Sequence, residues 1–130
     1  MKNFDEWNKV KKEIHEKTLL PDVYYHEREV WWVRLGVNIG AEQDGKGKYY
    51  ERPVLVIKKH NKNCFVGMSM TTKNKDNRYY FTIELAENFV SVILSQIRLF
   101  DSKRLVNLIG TISQSDFEEI KKVASKTNFD

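Results

Sequence analysis

Two short apolar runs, separated by a polar turn, limit what this chain can fold into. Residues 54–57 read Val-Leu-Val-Ile and residues 64–70 read Cys-Phe-Val-Gly-Met-Ser-Met. Between them stands Lys58-Lys59-His60-Asn61-Lys62-Asn63, and Pro53 precedes the first run. Runs of this length, rich in β-branched and aromatic residues and bounded by turn formers, predict a β-hairpin. In an antiparallel hairpin the start of one strand lies beside the end of the next. Arg52 and Thr71 are therefore expected as neighbours. Alternation sets Cys64, Val66, Met68 and Met70 on one face of the second strand, and Phe65, Gly67, Ser69 and Thr71 on the other. Thr71 then sits away from the methionine face at the strand's end, where a hydroxyl can meet solvent or substrate.

Charge is concentrated in the same stretch. Residues 52–78 hold seven Lys/Arg against one Asp, whereas the whole chain nets only +4. Clustering of this kind points to a polyanionic partner. At 130 residues and 41% hydrophobic content, the chain reads as one globular domain with a modest core. No apolar run approaches the roughly 18 residues of a membrane span, so no membrane partner is expected. The first 17 residues lack an apolar segment of the signal-peptide kind. The single cysteine, Cys64, excludes an internal disulfide and reads as core filler in a reducing cytoplasm.

The flanking segments extend the β reading and add a helix at each end. Residues 3–18 carry Phe4, Trp7, Val10 and Ile14 at helical spacing, with Asn3 and Glu6 as a capping box. Such a helix either packs on the domain or binds a partner, and Leu19-Leu20-Pro21-Asp22 should end it. Residues 29–35 predict a strand apolar on both faces. A loop over 36–50 follows, with Gly40, Gly45 and Gly47, long enough to suggest a functional role. Its Gly40-to-Gly47 segment falls one residue short of a phosphate-binding P-loop, and Gly47 stands where Ser or Thr would be required. Further strands are expected over 78–85, 90–98 and 108–112, with a helical turn over 101–105. Ser115 with Glu118 should cap a last helix whose stripe is Phe117, Ile120, Val123 and Ala124. The fold class is mainly β (α+β), arranged as a small barrel with a helix at each end.

Few residues carry a chemical signal. His15, His26 and His60 lie in separate segments without the short-spaced pairs of zinc sites, so no metal is expected. No serine sits in a nucleophile elbow. For Arg52 and Thr71 two readings stand: a rim arginine beside an ordinary strand-end threonine, or a pair acting on a phosphodiester. A guanidinium forks onto phosphate oxygens and a hydroxyl adds a donor.

Against this background the chain resembles the MazF/PemK-like toxins of bacterial toxin–antitoxin systems. The motifs are VWWVRLG, IGAEQDGKG, RPVLVI, SMTTK, SVILSQIRLFDSKRL and IGTI, in family order over residues 29–112. The resemblance implies an SH3-like β-barrel over 28–130, with 1–27 as an N-terminal helical extension, working as a cytoplasmic homodimer. It further implies an endoribonuclease that cuts single-stranded RNA at a short sequence, without metal or cofactor, and is inhibited by a small antitoxin protein. Its catalytic residues would be Arg52 and Thr71. Glu42, Gln43, Lys73 and Gln96 would bind the RNA. Two departures stand out. Residues 1–26 lie outside the usual family core, and the loop before Arg52 is extended by residues 48–51, making Glu51 a candidate partner for Arg52. A non-catalytic SH3-like module that binds nucleic acid or protein is the alternative. The related CcdB gyrase poisons, which share the barrel without the ribonuclease site, are a third.

Overall fold

The computed structural model describes residues 2–17 and 24–130. Helix α1 (Phe4–Glu16) begins as its sequence requires: Asn3 Oδ1 accepts the Glu6 N–H at 3.0 Å. Trp7 and Ile14 are its buried residues, whereas Phe4 stays half exposed. The expected stop at Leu19-Leu20-Pro21-Asp22 lies outside the described residues.

Six strands follow: β1 (Glu29–Arg34), β2 (Glu51–Lys59), β3 (Cys64–Thr71), β4 (Tyr80–Leu85), β5 (Asn88–Asp101) and β6 (Leu105–Thr111). They form one antiparallel sheet in the order β4-β5-β3-β2-β1-β6. The central hairpin is β2–β3, with Val54 opposite Ser69 and Lys59 opposite Phe65. A single 3-10 turn over Ser102–Arg104 joins β5 to β6, and helix α2 (Gln114–Phe129) closes the chain.

Alternation divides the strand side chains into two cores. One face gathers Val30, Leu55, Met68, Met70 and Val92 beneath Phe117, Ile120 and Ala124 of α2. Asn128 Nδ2 fastens that helix by donating to the Leu94 carbonyl at 2.8 Å. The other face gathers Trp31, Val33, Val54, Val56, Phe65 and Phe100 around Tyr25, whose ring lies 5.2 Å from that of Phe65. Covering both faces explains why the central strands read as nearly continuous apolar runs.

Three expectations change. The sheet runs from edge β4 to edge β6 without a ladder between them among the described residues, so the barrel is not closed by hydrogen bonds. The edges still approach: a Cβ at Gly110 of β6 would stand 3.1 Å from Leu85 Cδ1 of β4. A side chain occupies the seam instead of paired backbone. The cap of α2 is Ser113, whose Oγ accepts the Asp116 N–H at 3.1 Å, rather than Ser115. Ser115 lies inside the first turn, and Glu118 accepts instead from Gln114 Nε2 at 2.7 Å. Finally, β5 is longer than the expected 90–98. Ala86 and Glu87, both at positive φ, turn the chain tightly into it.

The length of β5 is made possible by a bend. Met68 pairs with Ile97, yet Met70, two residues on, pairs with Val92. The surplus residues of β5 bulge out between those points, and bulges re-aim side chains. Here Gln96 is carried towards the 36–50 loop.

Candidate active site

Arg52 stands at the start of β2 and is 9% exposed; Thr71 stands at the end of β3 and is also 9% exposed. Continuing the β2–β3 register beyond Val54 and Ser69 sets the two opposite one another, as hairpin geometry requires. Both line a cleft of about 510 Å³, together with Trp32, Lys46, Glu51 and Asn107.

The arginine is held by main chain. Nε donates to the Asp44 carbonyl at 2.7 Å and Nη1 to the Met70 carbonyl at 3.2 Å. A guanidinium has five N–H groups, so three are without a partner among the described residues. Burial pulls the Arg52 pKa below its ordinary value, while nearby Asp44 pushes it back up. Glu51, the candidate partner, is not bonded to it. Neighbouring residues of a strand face opposite ways, and the Glu51 main chain instead pairs with Lys46, accepting at 2.8 Å and donating at 3.0 Å. Thr71 Oγ1 accepts the Lys73 N–H at 3.1 Å. That bond takes one of the two lone pairs and leaves the hydroxyl hydrogen free to donate.

Glu42, Gln43 and Gln96 meet elsewhere. They line a second cleft, of about 520 Å³, with Asn38, Ser69 and Arg98. Gln96 holds the loop at two points, Oε1 accepting the Gln43 N–H at 3.2 Å and Nε2 donating to the Ala41 carbonyl at 3.4 Å. Glu42 Oε1 accepts the Ile39 N–H at 2.9 Å. The guanidinium of Arg98 lies 4.7 Å from the Phe100 ring centre. Burial lowers its pKa, and Glu42 opposes that shift. Lys73 lines neither cleft; its side chain is exposed beside Thr71. The six site residues expected from sequence therefore divide into a pair, a trio and a solitary lysine.

Sequence reasoning missed five contributors. Lys46 and Arg98 stood inside the motifs, as loop and strand cations, and their charge was the available signal. Trp32 and Asn107 meet because β1 pairs with β6, Trp32 opposite Asn107, a long-range register that no local pattern reveals. Asp44 meets Arg52 through its carbonyl, so its residue type carries no signal for that contact. Among the described residues, no three His, Cys, Asp or Glu gather as a metal site, and no helix is long and apolar enough to cross a membrane.

A mainly β domain of six antiparallel strands and two helices, with an arginine and a threonine at one end of its central hairpin, has the fold of the MazF toxins. MazF from Deinococcus radiodurans is similar at a TM-score of 0.65 and 18% identity, over 82% of this chain and 97% of that one. An endoribonuclease in complex with its cognate antitoxin from a mycobacterial species matches at 0.59 and 13%, over 79% and 93%. The MazE–MazF complex from D. radiodurans matches at 0.57 and 17%, over 83% and 100%. No curated protein matches the chain in sequence. Residues 26–126 match the PemK-like, MazF-like toxins of type II toxin–antitoxin systems, and the chain belongs to that family.

Proposed function

We propose that this toxin is an endoribonuclease that cuts single-stranded RNA at a short sequence without a metal ion, with Arg52 and Thr71 as its catalytic residues. One observation carries the reading. Arg52 is buried and pinned by two carbonyls, yet keeps unused N–H donors on a cleft that it shares with Thr71. A charge-assisted donor set fixed before substrate arrives is what a developing phosphorane charge needs.

RNA brings its own nucleophile. The 2′-oxygen attacks the adjacent phosphorus as its proton passes to solvent water, and the P–O5′ bond breaks as O5′ takes a proton from water. The products are a 2′,3′-cyclic phosphate and a 5′-hydroxyl. Arg52 holds the equatorial oxygens of the pentacoordinate phosphate, and Thr71 donates its free hydroxyl hydrogen to one of them. Glu42 and Gln43 would meet base edges from the second cleft, Gln96 would hold their loop in shape, and Lys73 would bind backbone phosphate.

Two of the similar structures are toxin–antitoxin complexes. That supports inhibition of this chain by a small antitoxin competing for the same clefts. In this reading the curled sheet is an SH3-like barrel open along one seam, assembled as a homodimer in the cytoplasm. Residues 1–27 are an extension to it.

The test is cleavage of a long single-stranded RNA in EDTA, with end mapping, by the wild type, Arg52→Ala and Thr71→Ala. Cyclic phosphate ends from the wild type alone are expected. Loss of cutting in EDTA, or full activity in both variants, overturns the mechanism. Binding without cutting favours a non-catalytic module.

A further inference from the structure

The N-terminal helix reaches the candidate active site through one loop. Lys2 Nζ lies inside the 38–44 segment, donating to the carbonyls of Asn38 at 2.5 Å and Gly40 at 3.1 Å and pairing with Asp44 Oδ2 at 3.2 Å. Asp44 Oδ1 accepts the Asn38 N–H at 2.6 Å, so the carboxylate ties the segment to itself as well as to the ammonium. The Asp44 carbonyl is the acceptor for Arg52 Nε. One residue thus joins the lysine of the extension to the arginine of the cleft.

Trp7 secures the base of the same loop. Its indole is 6% exposed and lies on the Cα of Gly36, where a Cβ would fall 2.6 Å from Nε1. It also packs against the Tyr50 ring, at 5.4 Å between centres. Gly36 and Tyr50 are the closing residues of the loop: the Tyr50 carbonyl accepts the Leu35 N–H at 2.9 Å and the Gly36 N–H at 3.2 Å. The Gly36 carbonyl accepts the Gly45 N–H at 2.8 Å. From the other end of α1, the His15 carbonyl accepts Lys103 Nζ at 3.0 Å, anchoring the helix to the 3-10 turn.

We infer that α1 is a built-in clamp on the 36–50 loop, and that Lys2 and Trp7 are positioning residues that hold the Asp44 carbonyl where it fixes Arg52. The inference rests on the reading of Arg52 as catalytic. An exposed loop of this length, with glycines at 36, 40, 45 and 47, has a large conformational entropy to lose. A partly exposed cation satisfying two carbonyls and a carboxylate, with an indole on the base, removes much of that freedom before substrate binds. Release of the clamp would disarm Arg52 and also loosen Glu42 and Gln43, which ride on the same segment.

The test uses the full chain as Lys2→Met, Trp7→Phe, Asp44→Asn and the Lys2→Met/Asp44→Asn double variant. Two readouts are taken: RNA cleavage, split into kcat and KM, and hydrogen exchange of the Gly36, Gly45 and Lys46 amides. Lys2→Met should lower kcat roughly tenfold, because a slightly misplaced catalytic group costs the chemical step, and raise KM a few-fold, because Glu42 and Gln43 ride on the same segment. Amide exchange in the loop should quicken while that of β3 and β5 holds. Trp7→Phe, which keeps an aromatic ring on Gly36, should lose less, and the double variant should be no worse than the worse single. Unchanged loop exchange in Lys2→Met, or a raised KM with intact kcat, overturns the clamp. If the wild type itself leaves RNA uncut, the ribonuclease reading falls, and hydrogen exchange alone decides whether α1 holds the loop.

Discussion

Arg52 Nη1 reaches the Met70 carbonyl at 3.2 Å, so a side chain links the first residues of β2 to the last of β3. The same guanidinium spans to the Asp44 carbonyl at 2.7 Å. A lysine at position 52 would bring a single ammonium on a flexible stem and cannot reproduce that planar two-point anchor. Arg52→Lys should therefore lower kcat by about 10²-fold or more while RNA affinity changes little. Single-turnover cleavage at saturating RNA checks this, and activity near wild type would refute the role of the anchored fork.

Thr71 is predicted to act through its hydroxyl rather than its shape. Valine matches its volume but neither accepts the Lys73 N–H nor donates to phosphate. Thr71→Val should lose roughly 10- to 100-fold in kcat, whereas Thr71→Ser should stay within a few-fold of wild type. Equal losses in the two would mean that the methyl group, not the oxygen, matters.

Where local chemistry decides, the sequence was readable. The Asn3 cap, the β2–β3 hairpin and the Arg52–Thr71 adjacency each follow from alternation, capping or turn residues within a short window. What escaped depends on distant partners or on main chain. Gln96 bonds the loop because β5 bulges after Val92, and nothing in Ser-Gln-Ile-Arg announces a bulge. Asp44 binds Arg52 through its carbonyl, which every residue possesses. The seam between β4 and β6 is set by Leu85 against Gly110, a contact between strands far apart in sequence. Ser113 and Ser115 both stand near the start of α2. Deciding between them required knowing that Glu118 is engaged by Gln114.

Gln96 is expected to shape the second cleft rather than to react. Alanine there leaves the Gln43 N–H and the Ala41 carbonyl without their partner, at about 1 kcal/mol each if not rehydrated. The loop edge that carries Glu42 and Gln43 should loosen. Gln96→Ala should raise KM for RNA several-fold with kcat nearly kept, measured by steady-state cleavage of a short oligoribonucleotide. A fall in kcat alone would contradict this division of labour.

Gly36 has a steric and a conformational requirement at once. Its φ is +82°, a region costly for residues with a Cβ, and that Cβ would collide with the Trp7 indole. The indole is large and enclosed, so it must be displaced rather than nudged. Gly36→Ala should cost about 1–3 kcal/mol of stability by urea denaturation. Tryptophan fluorescence should shift to the red as Trp7 meets water. Stability and emission equal to wild type would mean that α1 does not rest on the loop.

Tyr25 gives the chain an alkaline limit. The residue is fully buried, and its hydroxyl donates to the Asn61 carbonyl at 2.5 Å with the Cys64 carbonyl 2.9 Å away. Burial first, then the negative charge that Cys64 and Asp101 carry when ionised, pushes the phenol up from 10.0 to about 12. The folded chain thus binds a proton that the unfolded chain releases from near pH 10. A raised pKa means that the stabilisation is complete below 10 and declines as pH rises towards 12. Tyr25→Phe removes the ionisation together with the hydrogen bond. It should be less stable than wild type at neutral pH by about 1 kcal/mol, and that gap should narrow through the alkaline window. Urea denaturation of both proteins at neutral and alkaline pH measures the gap directly. A gap that widens as pH rises would mean that the hydroxyl is not held as a donor to the β2–β3 turn.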